Sequence, residues 1–525
     1  MSAERKRFLF FLLHSGYVRY YGRTFELLAE RGHDVRLAFS QIEKDAGDVR
    51  LADELVAAHP SISYGLAPQR ERSDGWRPLV GLVRSLADYA RYIHPRYADA
   101  PVLRARIARK LLGAVDASER VDPVSARVVR AIVGSLESRT SAQTSERLIR
   151  LLARLERAIP TSRAIDAFVR DAGPDAVVAT PVIDFGSSQV EYLKSAARLG
   201  IPCGVAVASW DNLTGKGLLR VVPDRVFVWN ETQREEARDL HGIPAERVVA
   251  TGSPKFDEWF ERRPSTTAAA LEETAGLDPA APYLLYVCSS PFIAPDEVPF
   301  VRDWLAALRA SGVPALESIG VLVRPHPQNG EQWRDAELST FGNVTIWPRQ
   351  GNQPDAGDAR AAFFDSLAHS AAVVGINTSA MIEAAILGKS VLSVVIPPYA
   401  ATQDGTLHFR YLLHENGGFL HVARSLEEHT GQLAGILADG DAHAGRTLAF
   451  VERFVRPRGL DRAATPILLE ELEQLASLSV APVRPRLGDR VVAALLTPLA
   501  AAAGLGGTLQ QRRSARGGAA GQSTT

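Results

Sequence analysis

Residues 372–396, AVVGINTSAMIEAAILGKSVLSVVI, restrict the possible folds more than any other part of the chain. An apolar run leads into a polar turn, a helix-like pattern follows as far as Gly388, and a second apolar run comes next. This order predicts strand, helix and strand, the unit of a parallel sheet covered by helices. The turn places Asn377, Thr378 and Ser379 where the helix begins, so backbone N–H groups and hydroxyls could hold a phosphate there. An ordinary N-capped βαβ unit is the alternative interpretation.

The same alternation extends along most of the chain and predicts an α/β fold with parallel sheets and helices on both faces. The first βαβ unit consists of a strand over residues 8–13, a helix over 23–31 and a strand over 34–39. Further apolar runs predict strands over residues 176–179, 204–208, 225–229, 248–250, 283–288, 320–323, 344–347, 372–374 and 391–396.

Composition separates these strands into two groups, because residues 261–282 are rich in Pro, Thr and Ala and predict a domain junction. Residues 70–165 break the alternation and predict a basic helical insertion, with 19 Arg and Lys against 10 Asp and Glu. A solvated insertion, an acceptor-side lid and a patch that meets an anionic membrane are the alternatives for it. The predicted organisation is a Rossmann-like domain over residues 1–262, a second over 280–450, a closing helix over 451–478 and a basic tail over 479–525.

The overall composition excludes several classes of protein. The chain is 46% hydrophobic and 23% charged, as globular proteins are. Its 60 Lys and Arg balance 60 Asp and Glu, so net charge gives no argument for a nucleic-acid partner. Cys203 and Cys288 both lie in apolar runs and are predicted to be buried thiols, which argues against a disulfide framework or a cysteine-ligated metal.

Membrane segments are not predicted. The apolar run at residues 8–13 is too short for a signal peptide, and no stretch approaches the roughly 18 apolar residues of a membrane span. We therefore expect a cytoplasmic protein. The tail from residue 481 holds six Arg and one Asp around an Ala-rich apolar stretch, 491–505, so association with the inner face of the membrane is an alternative to an inert tail. The last fifteen residues are predicted to be disordered.

Polar clusters follow the predicted strands, one after another, at the points where the strands end. Ligands in open α/β sheets bind outside the carboxyl ends of the strands. Two such sheets facing each other would direct all the clusters into one cleft, and this expectation depends on no single motif. The clusters contain His14 and Tyr17; Asp184; Trp210, Asp211 and Asn212; Ser253 and Lys255; Ser289 and Ser290; Arg324 and His326; and Asn377, Thr378 and Ser379.

Several of these segments resemble a known family. GHDVRLAF, GSPKFDEW, RPHP and INTSAMIEAAILGKSVL look like their counterparts in GT-B-type transferases, above all the CDP-glycerol glycerophosphotransferases and bacterial surface-polysaccharide glycosyltransferases. The resemblance implies two Rossmann-like domains facing a cleft, with a nucleotide-activated donor on the second domain, an acceptor on the first, and neither metal nor other cofactor. FVRPRGLD, residues 454–461, resembles the stretch that leads the closing helix back to the first domain.

Nucleotide-diphosphate chemistry assigns the donor-side residues. Transfer leaves negative charge on the leaving phosphate, and fixed cations and dipoles must meet that charge where it develops. Arg324 and His326 follow a strand in a Pro-flanked turn and could serve there, and Glu383 resembles the acidic residue that binds the donor ribose. A structural histidine is the alternative for His326. Other predicted donor-binding residues are Ser253, Lys255, Ser289, Ser290, Asn377, Thr378 and Ser379.

The acceptor hydroxyl needs a general base. His14 is the first candidate because it ends the first strand, Asp211 is the second and Asp184 the third. Loop capping by His14 and an Asx turn at Asp211 are the structural alternatives. Tyr17, Trp210 and Asn212 complete the predicted acceptor side, together with Asp184. The tripeptide Asp439-Gly440-Asp441 is similar to a metal-binding DxD but lies away from the strand ends, so we predict no metal site.

The predicted function is metal-independent transfer of a glycosyl or glycerophosphoryl group from a nucleotide-sugar or CDP-glycerol donor to a hydroxyl of a cell-surface polysaccharide or lipid-linked acceptor. Two alternatives stay open at this level: a sugar-nucleotide isomerase similar to the UDP-sugar 2-epimerases, and a non-catalytic nucleotide-binding scaffold. The epimerase family's paired acidic residues are not evident in the first domain.

Overall fold

The computed structural model describes residues 4–42, 46–116, 123–137, 139–351 and 357–501. The chain divides into two compact units. Unit 1 comprises Met1–Val228, Thr232–Ala250 and Pro466–Thr525, and unit 2 comprises Trp229–Glu231 and Thr251–Thr465. The chain thus enters unit 2 after Ala250, ahead of the Pro- and Thr-rich segment chosen from the sequence. The last fifteen residues, predicted to be disordered, lie outside the described part.

Unit 1 contains a seven-stranded parallel sheet of order β3-β2-β1-β4-β5-β6-β7. Its strands are β1 (Arg7–His14), β2 (Asp34–Gln41), β3 (Ile62–Leu66), β4 (Ala176–Thr180), β5 (Cys203–Ala206), β6 (Arg225–Val228) and β7 (Val248–Ala250). The helices up to β7 are α1 (Val18–Glu30), α2 (Ala46–Ala58), α3 (Trp76–Arg91), α4 (Pro101–Asp116), α5 (Pro123–Glu137), α6 (Ala142–Ala158), α7 (Arg163–Ala172), α8 (Val190–Leu199), α9 (Asn212–Gly215) and α10 (Glu231–His241).

Alternation along β1 supplies both cores of unit 1. Successive side chains of a strand point to opposite faces of the sheet. Leu9 and Phe11 therefore belong to the core shared with α7 and α8. Phe8 and Phe10 belong to the opposite core. That second core is completed by Leu468, Leu469, Leu472 and Leu475 of α20 (Ala464–Ala476), with which the chain returns to unit 1.

Unit 2 contains a six-stranded parallel sheet of order β10-β9-β8-β11-β12-β13. Its strands are β8 (Tyr283–Val287), β9 (Gly320–Arg324), β10 (Val344–Ile346), β11 (Ala372–Gly375), β12 (Val391–Val394) and β13 (His421–Ala423). The helices are α11 (Asp257–Glu261), α12 (Ala268–Ala275), α13 (Val298–Arg309), α14 (Pro314–Ser318), α15 (Gly357–His369), α16 (Ala380–Ile386), α17 (Leu407–Arg410), α18 (Leu426–Asp439) and α19 (Ala444–Phe454). A further helix over residues 487–501, the tail helix, belongs to unit 1.

The predicted α/β class with two Rossmann-like sheets is confirmed. Each predicted strand is present within two residues of its predicted start, and Val248–Ala250 has the predicted bounds. Two edge strands, β3 and β13, were not predicted. The first helix begins at Val18, five residues before the prediction, because Tyr21 and Val18 are themselves buried.

The insertion over residues 70–165 is helical, as predicted, and consists of α3 to α6 and the start of α7. Between α3 and α4 the insertion contains a 3-10 turn, Pro95–Tyr97. None of the helices in the described residues combines the length and the apolar character that a membrane span requires.

A buried ionic network fastens the insertion to the sheet of unit 1. Arg84 of α3 donates to both carboxylate oxygens of Glu156 on α6, at 2.8 and 2.7 Å, and to Glu191 on α8 at 2.7 Å. Lys194 of α8 donates to Glu156 at 2.9 Å, and Arg70 donates to Glu191 at 2.8 Å. Removing one member would leave its partners buried and uncompensated, so this network holds the insertion in one position.

Candidate active site

Both sheets have a point at which the strand order reverses direction. In unit 1 it lies between β1 and β4, and in unit 2 between β8 and β11. The loops leaving two such strands run to opposite faces of the sheet and open a crevice at their carboxyl ends, where doubly wound proteins bind ligands. His14 and Asp184 follow the two strands in unit 1, while Ser289 and Asn377 follow them in unit 2.

The two loops at the switch point of unit 2 are joined. The Asn377 N–H donates to the Ser289 hydroxyl at 3.4 Å, and the Asn377 side chain donates to the Thr402 carbonyl at 2.6 Å. Asn329 donates to the Ser289 carbonyl at 3.1 Å. Ser289 and Asn377 are both buried, so they shape the crevice floor, whereas the neighbouring Ser290 is only half-buried.

Glu297 is a buried carboxylate beneath this floor, and sequence reasoning missed it. It accepts from the Ser289 N–H at 2.9 Å and from the Tyr286 hydroxyl at 2.9 Å. Burial raises the pKa of Glu297 to about 7, although both donors oppose the shift. Glu297 therefore holds Ser289, two residues beyond β8, and changes its charge near neutral pH.

Lys255 and Glu383, predicted as separate donor-side residues, form an ion pair in unit 2. The Lys255 ammonium donates to Glu383 at 2.9 Å and lies 4.7 Å from the Phe256 ring centroid. Glu383 occupies the first turn of α16, directly after the Asn377 turn, and is nearly buried. The pair thus brings the GSPK turn to the carboxyl edge of the unit 2 sheet.

The turn before α16 is capped locally. The Thr378 hydroxyl accepts from the Ala380 N–H at 3.5 Å, and the Ser379 carbonyl accepts from the N–H groups of Ile382 and Glu383. α16 is only seven residues long. A helix this short has a small macrodipole, so the dipole contribution expected from the sequence is weak, and anion binding there depends on side chains.

Arg324 is held by its own unit rather than extended into a loop. Its guanidinium donates to the Ser366 hydroxyl at 2.9 Å and lies 5.2 Å from the ring centroids of both Trp347 and Phe363. Burial lowers the pKa of Arg324 to about 10. A buried cation stacked on two aromatic rings is a fixed positive charge at the end of β9.

His326 is half-buried and caps the 3-10 turn Pro327–Asn329, because its Nδ1 accepts from the Gln328 N–H at 3.1 Å. A neutral imidazole that accepts at Nδ1 carries its proton on Nε2. Nε2 is therefore the atom that could donate to a phosphate. Nδ1 of the same ring caps the turn, as the structural alternative suggested.

Ser253 is buried in its own turn, and its donor-binding role stays a prediction. Its N–H donates to the Val455 carbonyl at 3.0 Å, and its hydroxyl is a buried group with no hydrogen-bond partner among the described residues.

Asp257, four residues further along the GSPKFDEW segment, explains why that turn is fixed. Its carboxylate accepts from Arg456 at 3.0 Å and from the N–H groups of Ala464 and Thr465 at 2.9 and 2.6 Å. It therefore caps the start of α20. The two segments GSPKFDEW and FVRPRGLD thus meet through one carboxylate, which the sequence resemblance did not reveal.

The acceptor-side candidates of unit 1 cluster around Tyr17. The His14 and Tyr17 rings meet edge to face, with centroids 4.7 Å apart. Burial, and then the charges of Tyr20, Asp184 and Asp211, raise the pKa of Tyr17 well above its usual value. Charged side chains from the loops after β4 and β5 therefore act on Tyr17, which contacts His14 at the end of β1.

The insertion supplies a cation to this cluster. Lys110 of α4 lies 3.3 Å from the Asp184 carboxylate and 5.6 Å from the Phe185 ring centroid. Arg106, one turn earlier, lies 5.8 Å from the same ring. The basic insertion thus reaches the carboxyl edge of the unit 1 sheet.

The Trp210-Asp211-Asn212 loop contains one partly exposed and two buried residues. Asn212 accepts from the N–H groups of Ala208 and Ser209 at 3.2 and 3.1 Å, so its side chain closes the loop that follows β5. Trp210 and Asn212 are buried. Asp211 is partly exposed, accepts from the Ser209 hydroxyl at 2.6 Å and lies 3.7 Å from the Lys216 ammonium.

Val182 is a strained residue in the loop after β4 that sequence reasoning did not find. Its φ of 65° lies in the left-handed region, which β-branched residues avoid. Gln189 holds this conformation: it accepts from the Val182 N–H at 3.0 Å and donates to the Phe11 and Thr180 carbonyls. Such strain is retained where the surroundings fix it, which fits a loop that positions Asp184.

No group of three or more His, Cys, Asp or Glu in the described residues is arranged to hold a metal ion. Asp441, from the tripeptide similar to DxD, is bound to His421 at 3.0 Å and to the His443 N–H at 2.7 Å.

Comparison with known proteins gives structural similarity alone. No family model matches the sequence, and no curated protein matches it. A UDP-GlcNAc 2-epimerase from Neisseria meningitidis bound to UDP-GlcNAc is similar with a TM-score of 0.49 and 11% identity, over 89% of this chain and 100% of that one.

Two glycosyltransferases are similar to the same degree. One from Rickettsia africae has a TM-score of 0.48 and 10% identity, over 91% of this chain and 100% of that one. The calicheamicin glycosyltransferase CalG4 has a TM-score of 0.44 and 14% identity, over 90% and 98% of the two chains. Similarity this distant does not establish an activity, and the fold class follows from the strand orders described above.

Proposed function

We propose that the protein is a transferase that moves a glycosyl or glycerophosphoryl group from a nucleotide-activated donor to an acceptor hydroxyl without a metal ion. The observation that carries the proposal is the Lys255–Glu383 ion pair, 2.9 Å long, beside the switch point of unit 2. The ribose hydroxyls of a nucleotide-diphosphate donor can donate hydrogen bonds to a carboxylate. Its phosphates are anionic, and an ammonium group can neutralise their charge. One ion pair at the crevice of a Rossmann-like sheet offers both groups.

The other donor-side roles follow from the contacts already described. His326, with its proton on Nε2, would donate to the leaving phosphate, and the stacked Arg324 would contribute a fixed positive field. Ser289 and Asn377 would shape the floor on which the nucleotide rests. In unit 1, His14 is the proposed base for the acceptor hydroxyl. Asp184 and Asp211 are bound to Lys110 and Ser209, which suits them to orienting the acceptor.

The first test is a thermal-shift screen of the full chain against UDP, GDP, CDP, CMP and dTDP, with and without Mg²⁺. A ligand that binds only the native state raises its stability by mass action, so a metal-independent shift with one nucleotide supports the proposal and identifies the donor class. Absence of a shift with all five nucleotides would contradict it, and would equally argue against a nucleotide-binding scaffold.

Turnover then separates the activities. With the matching donor, loss of transfer in His14→Ala, and retention in Asp184→Asn and Asp211→Asn, would support the assignment of the base. Conversion of the nucleotide-sugar in the absence of any acceptor would indicate an isomerase instead.

A further inference from the structure

The tail helix carries an apolar stripe on the side away from unit 1. Leu487, Val491, Leu495 and Leu499 recur every four residues, which aligns them along one side of a helix. They are 78%, 54%, 72% and 63% exposed. The other side of the helix, with Val492 and Leu496, is half-buried, and Ala500 is buried. Four consecutive large apolar side chains on one exposed face are unusual for a solvated helix and indicate an interaction surface.

The tail helix and the segment before it contact the rest of unit 1. The Val483 N–H donates to the Ala197 carbonyl of α8 at 2.8 Å. Asp489 accepts from the Arg486 N–H at 3.2 Å, which caps the start of the tail helix, and lies 3.8 Å from Arg157 at the end of α6. The tail helix and α6 therefore adjoin one another on the surface of unit 1.

The exposed side of α6 is strongly basic. Its exposed residues include Arg147, Arg150, Arg154 and Arg157, and Leu151, which is 52% exposed, lies among them. We call these five residues the basic face. Glu146 is the acidic residue on that side and lies 3.4 Å from Arg150. The tail adds exposed arginines at the start of its helix, namely Arg484, Arg486 and Arg490.

We propose that the apolar stripe and the basic face together bind the surface of an anionic lipid bilayer. An amphipathic helix with a continuous apolar side inserts that side among the headgroups, while neighbouring arginines bind anionic lipids. The charge of these two surfaces favours an anionic bilayer as the partner. Seven arginines outnumber two acidic residues, Glu146 and Asp489, and so complement a negative surface. A second copy of this chain would instead bring two equally basic surfaces together.

The test is sedimentation of the full-length protein with vesicles of phosphatidylcholine alone or of phosphatidylcholine mixed with phosphatidylglycerol. We expect at least tenfold stronger binding to the anionic vesicles, with most of it lost in about 1 M salt, where the Debye length is about 3 Å. Leu495→Glu with Leu499→Glu, and Arg147→Glu with Arg154→Glu, should each weaken binding at least tenfold. Leu448→Glu is the matched control, because Leu448 is 58% exposed in unit 2 and should leave binding unchanged.

A fluorescent label distinguishes the other occupants. The native Cys203 and Cys288 are buried, and burial raises the pKa of both thiols, so Leu495→Cys can be labelled selectively. We expect the dye at Leu495→Cys to report a polar environment without lipid, and its emission to shift to the blue with anionic vesicles. The emission of a dye at Leu448→Cys should not shift.

Three results would overturn the proposal: no binding to anionic vesicles, undiminished binding in the stripe variant, or a blue-shifted dye before lipid is added. The last would show that the stripe is covered by the chain itself or by a second copy, and light scattering would separate those two cases. Because none of these measurements uses a nucleotide, their failure leaves the proposed transferase activity untouched.

Discussion

Replacing Glu297 with glutamine is expected to stabilise the protein above neutral pH. The folded-state pKa of Glu297 is about 7, against an ordinary value of 4.5. At pH values below the ordinary pKa, Glu297 is protonated in both the folded and the unfolded protein, so its ionisation does not reduce the free energy of unfolding. As the pH rises from there through the folded-state pKa, the unfolded chain loses its proton more readily than the native protein, so stability falls. Above pH 7 the ionised carboxylate is buried, and the groups that donate to it among the described residues, the Ser289 N–H and the Tyr286 hydroxyl, are neutral.

The size of the effect follows from the separation of the two pKa values. Each pH unit of separation corresponds to about 1.4 kcal/mol, so ionisation of Glu297 costs about 3 kcal/mol of folding free energy above pH 7. Glutamine stays neutral. Its oxygen can still accept from the Ser289 N–H, and its NH₂ can donate to the Tyr286 oxygen, so the packing is preserved.

The assay is urea unfolding of Glu297→Gln and the parent protein at pH 5 and pH 8. The buried Trp304 and Trp333 of unit 2 report the transition by fluorescence. We expect a slightly higher midpoint for the variant at pH 5, where ionisation of Glu297 costs less than about 1 kcal/mol, and a much larger difference at pH 8. Equal midpoints at both pH values would refute the argument, because they would mean that Glu297 ionises in the folded protein as it does in the unfolded chain.

Four further substitutions test other parts of the structure. Glu156→Gln should have the opposite sign: burial alone would raise the pKa of Glu156, but Arg84 and Lys194 lower it to about 2. The free energy of unfolding of the variant should therefore be about 3 kcal/mol below that of the parent at pH 7. The same urea series should show this difference shrinking as the pH falls from 4.5 towards 2. His326→Ala should slow transfer about a hundredfold, roughly 3 kcal/mol of transition-state stabilisation, and an unchanged kcat would remove His326 from the mechanism. Glu383→Ala should weaken nucleotide affinity tenfold or more in calorimetric titrations with little change in Tm, whereas an unfolded variant would show a purely structural role. Gly252→Ala should cost more than about 1 kcal/mol by denaturation, because Gly252 has a φ of 86° and a Cβ there would lie 2.8 Å from Ala464; unchanged stability would mean that this turn relaxes.

The architecture was predictable because buried parallel strands read as continuous apolar runs. RFLFFLLH and AVVAT are unambiguous in this sense, and so are the strands of unit 2 around YLLYV. The missed strands, β3 and β13, lie at the edges of their sheets, where a strand is paired on one side only. β3 has one buried residue of five and β13 is three residues long, so neither presents the pattern of a central strand.

The candidate site was predictable by position but not by pairing. The rule that polar residues gather at the carboxyl ends of parallel strands found His14, Asp184, Ser289 and Asn377. It could not show that Lys255 and Glu383, 128 residues apart, neutralise each other. It also missed Glu297, which belongs to no recognisable motif and matters because of its burial. Burial and long-range pairing are properties of the packed chain, so a single sequence gives no local signal for them.

The GSPKFDEW turn shows how such pairing prepares a site before any ligand arrives. Ser253 and Asp257, on either side of Lys255, are both fixed to the segment that leads into α20, through the Val455 carbonyl and through Arg456. The Arg456 guanidinium in turn lies 3.6 Å from the Phe260 ring centroid. The turn that carries Lys255 is therefore fixed on both sides. The conformational entropy of its backbone is lost when the protein folds, so ligand binding does not have to order it. A lysine held in this way can meet a phosphate without reorganisation, which is the condition for strong electrostatic stabilisation in a transfer reaction. In that view Ser253 and Asp257 support the proposed donor site by positioning Lys255.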